Sequence, residues 1–126
     1  EAMRAHGEAT KRGGFLRDAG NVERAAAVVV AGARRMVMEL DCGFCGAATC
    51  QQALADDLNC VFPVCDLGIA VGSGVAFAAD QGLDNRVMYT IGLAALKLGL
   101  FGDPAIRTAL GIPFAVGPKS PFFDRK

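Results

Sequence analysis

Apolar positions along the chain fall into blocks of different period, and each period predicts an element. Glu1 to Lys11 mixes small and charged residues, with Ala2, Met3, His6 and Ala9 at helix-compatible spacing. Lys11, Arg12 and the pair Gly13-Gly14 close that segment as a helix stop. Phe15-Leu16 then reads as a short strand and Arg17 to Asn21 as a turn. Ala25 to Ala31 is an unbroken small and β-branched run without polar alternation, the pattern of a strand buried on both faces in a helix-covered sheet. Gly43 to Cys50 is a glycine- and cysteine-rich loop, and Gln51 to Leu58 supplies one or two helical turns that close it.

From Asp66 the period becomes helical. Leu67, Ile69, Ala70, Val71, Val75, Phe77 and Ala78 are apolar nearly all round, which predicts a buried helix over Asp66–Asp80 with Asp66 as its N-cap. A second helix is expected over Asn85–Leu98, with Val87, Met88, Ile91, Ala94, Ala95 and Leu98 on one face and Gly99 as its stop. Pro104 after Asp103 predicts a short third helix ending at Gly111, followed by a strand over Ile112–Val116. Pro118 to Lys126 reads as an extended tail with two exposed aromatics, Phe122 and Phe123. The expected class is α/β or α+β: one domain over residues 1–126 with a small buried sheet, two apolar helices and a Cys-rich loop.

Composition narrows the function classes. The 126 residues are 52% hydrophobic with 13 basic and 13 acidic side chains, enough for one packed core and without the basic footprint of a nucleic-acid binder. The longest strongly apolar stretch, Leu67 to Ala79, contains three glycines and falls short of the ~20 residues of a bilayer span, so no membrane segment is expected. The chain opens on Glu1 without a basic–apolar–small leader pattern, and the expectation is an N-terminally incomplete part of a longer protein.

Chemistry concentrates in the cysteines. Cys42-x2-Cys45-x4-Cys50 gathers three soft ligands on one loop, with Cys60 and Cys65 following. Thiolates suit iron–sulfur clusters and zinc alike, whereas hard oxygen donors suit neither. Structural zinc usually takes two Cys-x2–4-Cys or Cys/His knuckles; only the first pair fits here, and His6 is far away in sequence. Three thiols within nine residues are also an oxidation liability unless ligated, which argues against ordinary buried cysteines. Gly43 and Gly46 directly follow ligand positions, where the backbone turns tightly and can aim amides at sulfur. Spacing leaves the fourth ligand open between Cys60 and Cys65.

The run Cys42 to Cys50, then Cys60-Val-Phe-Pro-Val-Cys-Asp-Leu-Gly-Ile-Ala-Val-Gly-Ser-Gly74, Asn85-Arg-Val-Met-Tyr89, Leu110-Gly-Ile-Pro113 and Phe122-Phe-Asp-Arg-Lys126 resembles an uncharacterised prokaryotic family containing a ferredoxin domain. The likeness runs from about Phe15 onward. It implies a cluster, taken as [4Fe–4S], on Cys42, Cys45, Cys50 and Cys60, with Cys65 an extra core thiol, and it implies a longer N-terminal portion. A weaker resemblance in element order links the chain to flavin-dependent nitroreductases, which are α+β homodimers with FMN at the subunit interface.

Other motifs have plain structural readings. Gly72-Ser-Gly74 lacks the third glycine of a dinucleotide loop and lies in a helical pattern, so Gly68, Gly72 and Gly74 are expected to serve close helix packing, within the chain or in a homodimer. Asn85-Arg86 with Tyr89 reads as a helix cap rather than a ligand site, and His6 as a lone surface histidine. No Ser/His/Asp, Cys/His or paired-carboxylate arrangement supports hydrolytic catalysis, and no catalytic residue is assigned. The expected function is one-electron transfer to a redox partner protein in the cytoplasm, without nucleic acid or membrane. The alternatives are a structural zinc or iron–sulfur site in a non-enzymatic protein, and a flavin-binding nitroreductase-like oxidoreductase.

Overall fold

The computed structural model describes residues 1–123 and shows an α+β domain of five helices and a three-stranded antiparallel sheet. The first helix, α1 (Ala2–Thr10), ends as expected at Lys11, which takes a left-handed conformation (φ 54°) so that the Arg12 amide reaches the Gly7 carbonyl at 3.0 Å. Gly13-Gly14 does not stop the chain there; it opens α2 (Gly13–Arg24). The strand expected at Phe15-Leu16 is helical instead. Phe15, Asp18, Ala19 and Val22 recur at i, i+3, i+4 and i+7, and this face packs inward against α1, where a Cβ on Gly7 would stand 3.0 Å from Phe15 Cβ.

Strand β1 (Ala27–Arg34) pairs antiparallel with β3 (Ile106–Ala115), Ala27 opposite Phe114 and Ala33 opposite Thr108, and β2 (Asp84–Asn85) pairs on the far side of β3. The order β1-β3-β2 makes β1 an edge strand, with Val28 and Val29 exposed rather than buried on both faces. The central strand is β3, one continuous element where a short helix and then a strand were expected. Asp103 Oδ1 accepts from the Ala105 amide at 2.9 Å, so Asp103-Pro104 forms a side-chain-closed turn leading into a strand, not a helix start. Pro113 is tolerated mid-strand because the Gly111 amide points to Met88, so the same-side position two residues on falls in the gap before Asn85.

Two helical layers cover the sheet. On one face lie Met3, Ala19, Met88, Ile91, Ala115 and Phe122, joining α1, α2, β3 and α5 (Tyr89–Lys97). The Asn85–Leu98 helix is thus shorter than its apolar pattern, because Asp84 and Asn85 enter the sheet and the Asn85 side-chain Nδ2 donates to the Val75 and Leu83 carbonyls. Phe122 is buried in this core, not exposed, while Arg86 donates to its carbonyl at 2.8 Å and sits 5.1 Å over the exposed Phe123 ring. The rest of the expected tail, residues 124–126, lies outside the described residues.

The other face is covered by α4, which runs Val61–Asp80 with Cys60 as its N-cap, starting before the expected Asp66. Pro63 fits because it stands in the first turn, where the amide has no helical partner. Leu67, Val71 and Val75 pack on Ala31, Ala33, Leu110, Ile112 and Phe114. The rest of α4 is not buried within the chain: Ile69 and Phe77 are exposed, and a Cβ on Gly68, Gly72 or Gly74 would meet nothing within 4 Å. Among the described residues, nothing packs closely against those glycines. At 20 residues, α4 is by length and composition long and apolar enough to cross a membrane, unlike the shorter stretch read from the sequence.

Candidate metal centre

The segment between β1 and α4 carries the cysteines, and its backbone is shaped by residues with positive φ. Asp41 (φ 45°) and Gly43 (φ 72°) flank Cys42, and Gly46 (φ 90°) follows Cys45. The Gly46 amide returns to the Gly43 carbonyl at 2.9 Å, closing a tight turn around Phe44 and Cys45. Gly43 and Gly46 therefore do supply the turn their position after ligands implied.

Cys50 is the first residue of α3 (Cys50–Ala55). Thr49 caps that helix by accepting from the Gln52 amide at 3.1 Å, and Gln52 Oε1 accepts from the Ala48 amide at 3.1 Å, a variant of the capping box. Asp41 Oδ1 accepts from the Cys50 amide at 2.6 Å and ties the two ends of the cysteine loop together. Behind α3, Asp57 bridges Arg107 at 2.7 Å and Arg35 at 3.2 Å, and Arg35 also donates to the Leu54 carbonyl. The Arg107 hydrogen bond, aided by the charges of Arg107 and Arg35, holds the exposed Asp57 carboxyl below its ordinary range. This network fixes the last turn of α3 to β1 and β3.

Cys60 is buried at the N-cap of α4. Phe62, two residues on, stacks against Phe44 with centroids 6.0 Å apart. Cys42, Cys45, Cys50 and Cys60 all line one small cavity of about 10 Å³, walled also by Val37, Phe44, Phe62 and Ala53. Cys65 does not line it. That thiol is exposed on α4 and is not the core cysteine the family likeness implied.

All five cysteines are free thiols. Among the described residues, no three His, Cys, Asp or Glu side chains are gathered to hold a single metal ion. A mononuclear zinc needs all its sulfurs ~2.3 Å from one point, whereas a cluster binds them at separate irons. The donor set is all-sulfur, and the one nearby carboxylate, Asp41, is engaged by the Cys50 amide. Soft ligation therefore fits the residues present.

Sequence reasoning missed the supports of this loop. Thr49-x-x-Gln52 is a readable capping signal, but the Asp41 contact and the Phe44–Phe62 stack depend on tertiary geometry. The remaining candidates resolve as structure. His6 is half-buried, edge-on to Phe15 at 4.5 Å, with its Nδ1 2.8 Å from Lys97 Nζ. Gly72-Ser-Gly74 lies inside α4 and forms no nucleotide loop.

Comparison with known proteins bears on the same segment. The profile of a family described as "Uncharacterized protein containing a ferredoxin domain" matches residues 56–125, a span that includes Cys60 and begins after Cys50. An uncharacterized protein of Archaeoglobus fulgidus is 38% identical over 120 residues, covering 88% of this chain and 64% of the relative. The chain thus spans just under two thirds of the length of that curated relative. No solved structure matches the chain, and the likeness to flavin-dependent nitroreductases finds no support there.

Proposed function

The chain belongs to a family of uncharacterized proteins containing a ferredoxin domain, and on that premise we propose that it binds one [4Fe–4S] cluster through Cys42, Cys45, Cys50 and Cys60 and passes single electrons to a redox partner protein. One observation carries the reading: thiols from the loop, the start of α3 and the start of α4 line the same cavity, and the fifth thiol does not. Bound there, a cluster supplies one-electron redox chemistry over a wide span of potentials.

The chain's own residues have distinct parts in that role. Cys42 and Cys45 would hold the group from the loop, and Cys50 and Cys60 from the starts of α3 and α4. Phe44 and Phe62, stacked on each other, form part of the cavity wall. At about 10 Å³ the cavity has room for roughly one water, so it is the all-sulfur donor set and not the volume that supports the reading. The thiols require a reducing compartment, which favours the cytoplasm.

That small volume favours one rival, a single structural zinc that the same four sulfurs would hold. Anaerobic purification followed by absorbance spectroscopy and zinc analysis separates the two. A brown protein whose broad visible band bleaches with dithionite is expected. A colourless protein with one zinc per chain would sink the electron-transfer role and leave a structural site.

A further inference from the structure

We propose that the cleft beside the connection from α5 to β3 binds a small organic carboxylate with an apolar, ring-bearing body. The inference is independent of the metal reading. The cleft encloses about 640 Å³, a volume within the range of small-molecule sites. Its apolar surface comes from Leu96 at the end of α5, Phe101 and Pro104 in the connection, and Ile106 at the start of β3. That surface is preformed. Gly99 (φ 64°) and Gly102 (φ 63°) take left-handed conformations, and the Gly102 amide returns to the Gly99 carbonyl at 3.1 Å, closing a turn around Phe101. Phe101 rests against β1, where a Cβ on Gly32 would stand 3.1 Å from its ring and would overlap Ile106.

The polar groups lining the cleft select the charge of the ligand. Asp103 has both carboxylate oxygens engaged, Oδ1 by the Ala105 amide at 2.9 Å and Oδ2 by Arg34 Nε at 3.0 Å, so it is a poor acceptor for a cation. Arg107 has donors to spare. Both of its bonds to Asp57, at 2.8 and 2.7 Å, leave from Nη1. The Nε–Nη2 edge remains, and that edge of a guanidinium matches the two oxygens of a carboxylate. Asn59 adds an amide donor to the same lining. Asp57 also pairs with Arg35 at 3.2 Å, so three guanidiniums (Arg34, Arg35 and Arg107) stand against two carboxylates (Asp57 and Asp103). One positive charge is left over, which a carboxylate balances and a phosphate dianion exceeds.

NMR titration of the anaerobically purified, ¹⁵N-labelled 126-residue chain with phenylacetate tests this. The Gly99 and Gly102 amide resonances are expected to shift with a Kd on the order of 1 mM or tighter. Phenylacetamide, which keeps the ring and lacks the charge, and acetate, which keeps the charge and lacks the ring, should each bind at least about tenfold more weakly. Arg107→Lys keeps a cation beside Asp57 and loses the forked edge, so phenylacetate affinity should fall about tenfold. Absence of shifts at Gly99 and Gly102, equal binding of phenylacetamide or acetate, displacement of phenylacetate by an equal concentration of inorganic phosphate, or undiminished affinity in a folded Arg107→Lys would each overturn the proposal. Should Arg107→Lys unfold, the three wild-type titrations decide between these outcomes.

Discussion

Replacing Gly92 by alanine is expected to destabilise the fold although the same change in an unobstructed helix stabilises it. Gly92 lies in α5 where the helix touches the central strand, and a Cβ there would overlap the Ala109 carbonyl and stand 2.7 Å from the Leu110 amide nitrogen. Alanine gains about 1 kcal/mol of helix propensity over glycine. Against that, the obstructing atoms are backbone in a strand paired on both sides, so relief requires α5 to lift from β3. Lifting disturbs Ile91, which packs where a Cβ on Gly111 would fall, and the paired bonds between Met88 and Gly111. Overpacking of this kind costs about 1–3 kcal/mol or more, and loss of the surrounding contacts adds to it, leaving a net loss of about 2 kcal/mol. For a chain of this length 1 kcal/mol corresponds to about 4 °C in Tm, so a fall of about 8 °C is expected. Thermal unfolding followed by circular dichroism measures it. Gly20→Ala in α2 serves as the control, because there a Cβ would meet only the Arg24 guanidinium at 3.7 Å. A Gly92→Ala variant as stable as the wild type would refute the close approach of α5 to β3.

Thr90→Val should cost about 1–3 kcal/mol, since Thr90 is fully buried and its hydroxyl donates to the buried Asp18 carboxylate at 2.7 Å; an unchanged Tm would contradict that bond. Thr49→Ala removes the cap of α3 and should cost about 1 kcal/mol while loosening Cys50; metal retention during gel filtration should fall, and full retention would show the cap is dispensable. Desolvation, followed by the charges of Lys97 and Arg12, lowers the pKa of His6, so the fold favours the neutral ring. Its contribution is present above the unfolded value of ~6.5 and is lost as pH falls through and below it. Between pH 7.5 and pH 5.5 the wild type should therefore lose more Tm than His6→Gln, and equal losses would rule out the contribution.

The gathering of Cys42, Cys45, Cys50 and Cys60 around one cavity was legible because its signal is local: the first three share one loop, and spacing put Cys60 within reach. Choosing Cys60 over Cys65 needed the family likeness, and the structure places them differently because Cys60 caps α4 while Cys65 lies more than a turn along it. The α+β class and four of the five helices could be read in part. Failures came where local signals have two meanings. Gly13-Gly14 can end one helix or begin the next, and Asp103-Pro104 can start a helix or close a turn. The apolar run in β1 looked doubly buried, yet strand order, which depends on distant Ile106–Ala115, put it at the edge. The glycines of α4 and Gly92 of α5 look alike in sequence, but only Gly92 meets another backbone.

The most direct test of the metal centre is iron and acid-labile sulfide content after anaerobic cluster reconstitution of the wild type and of single alanine variants at Cys42, Cys45, Cys50, Cys60 and Cys65. The account predicts about four irons per chain in the wild type and in Cys65→Ala, with marked loss in each of the other four. Iron lost with Cys65 but kept with Cys60, or zinc in place of iron throughout, would contradict it.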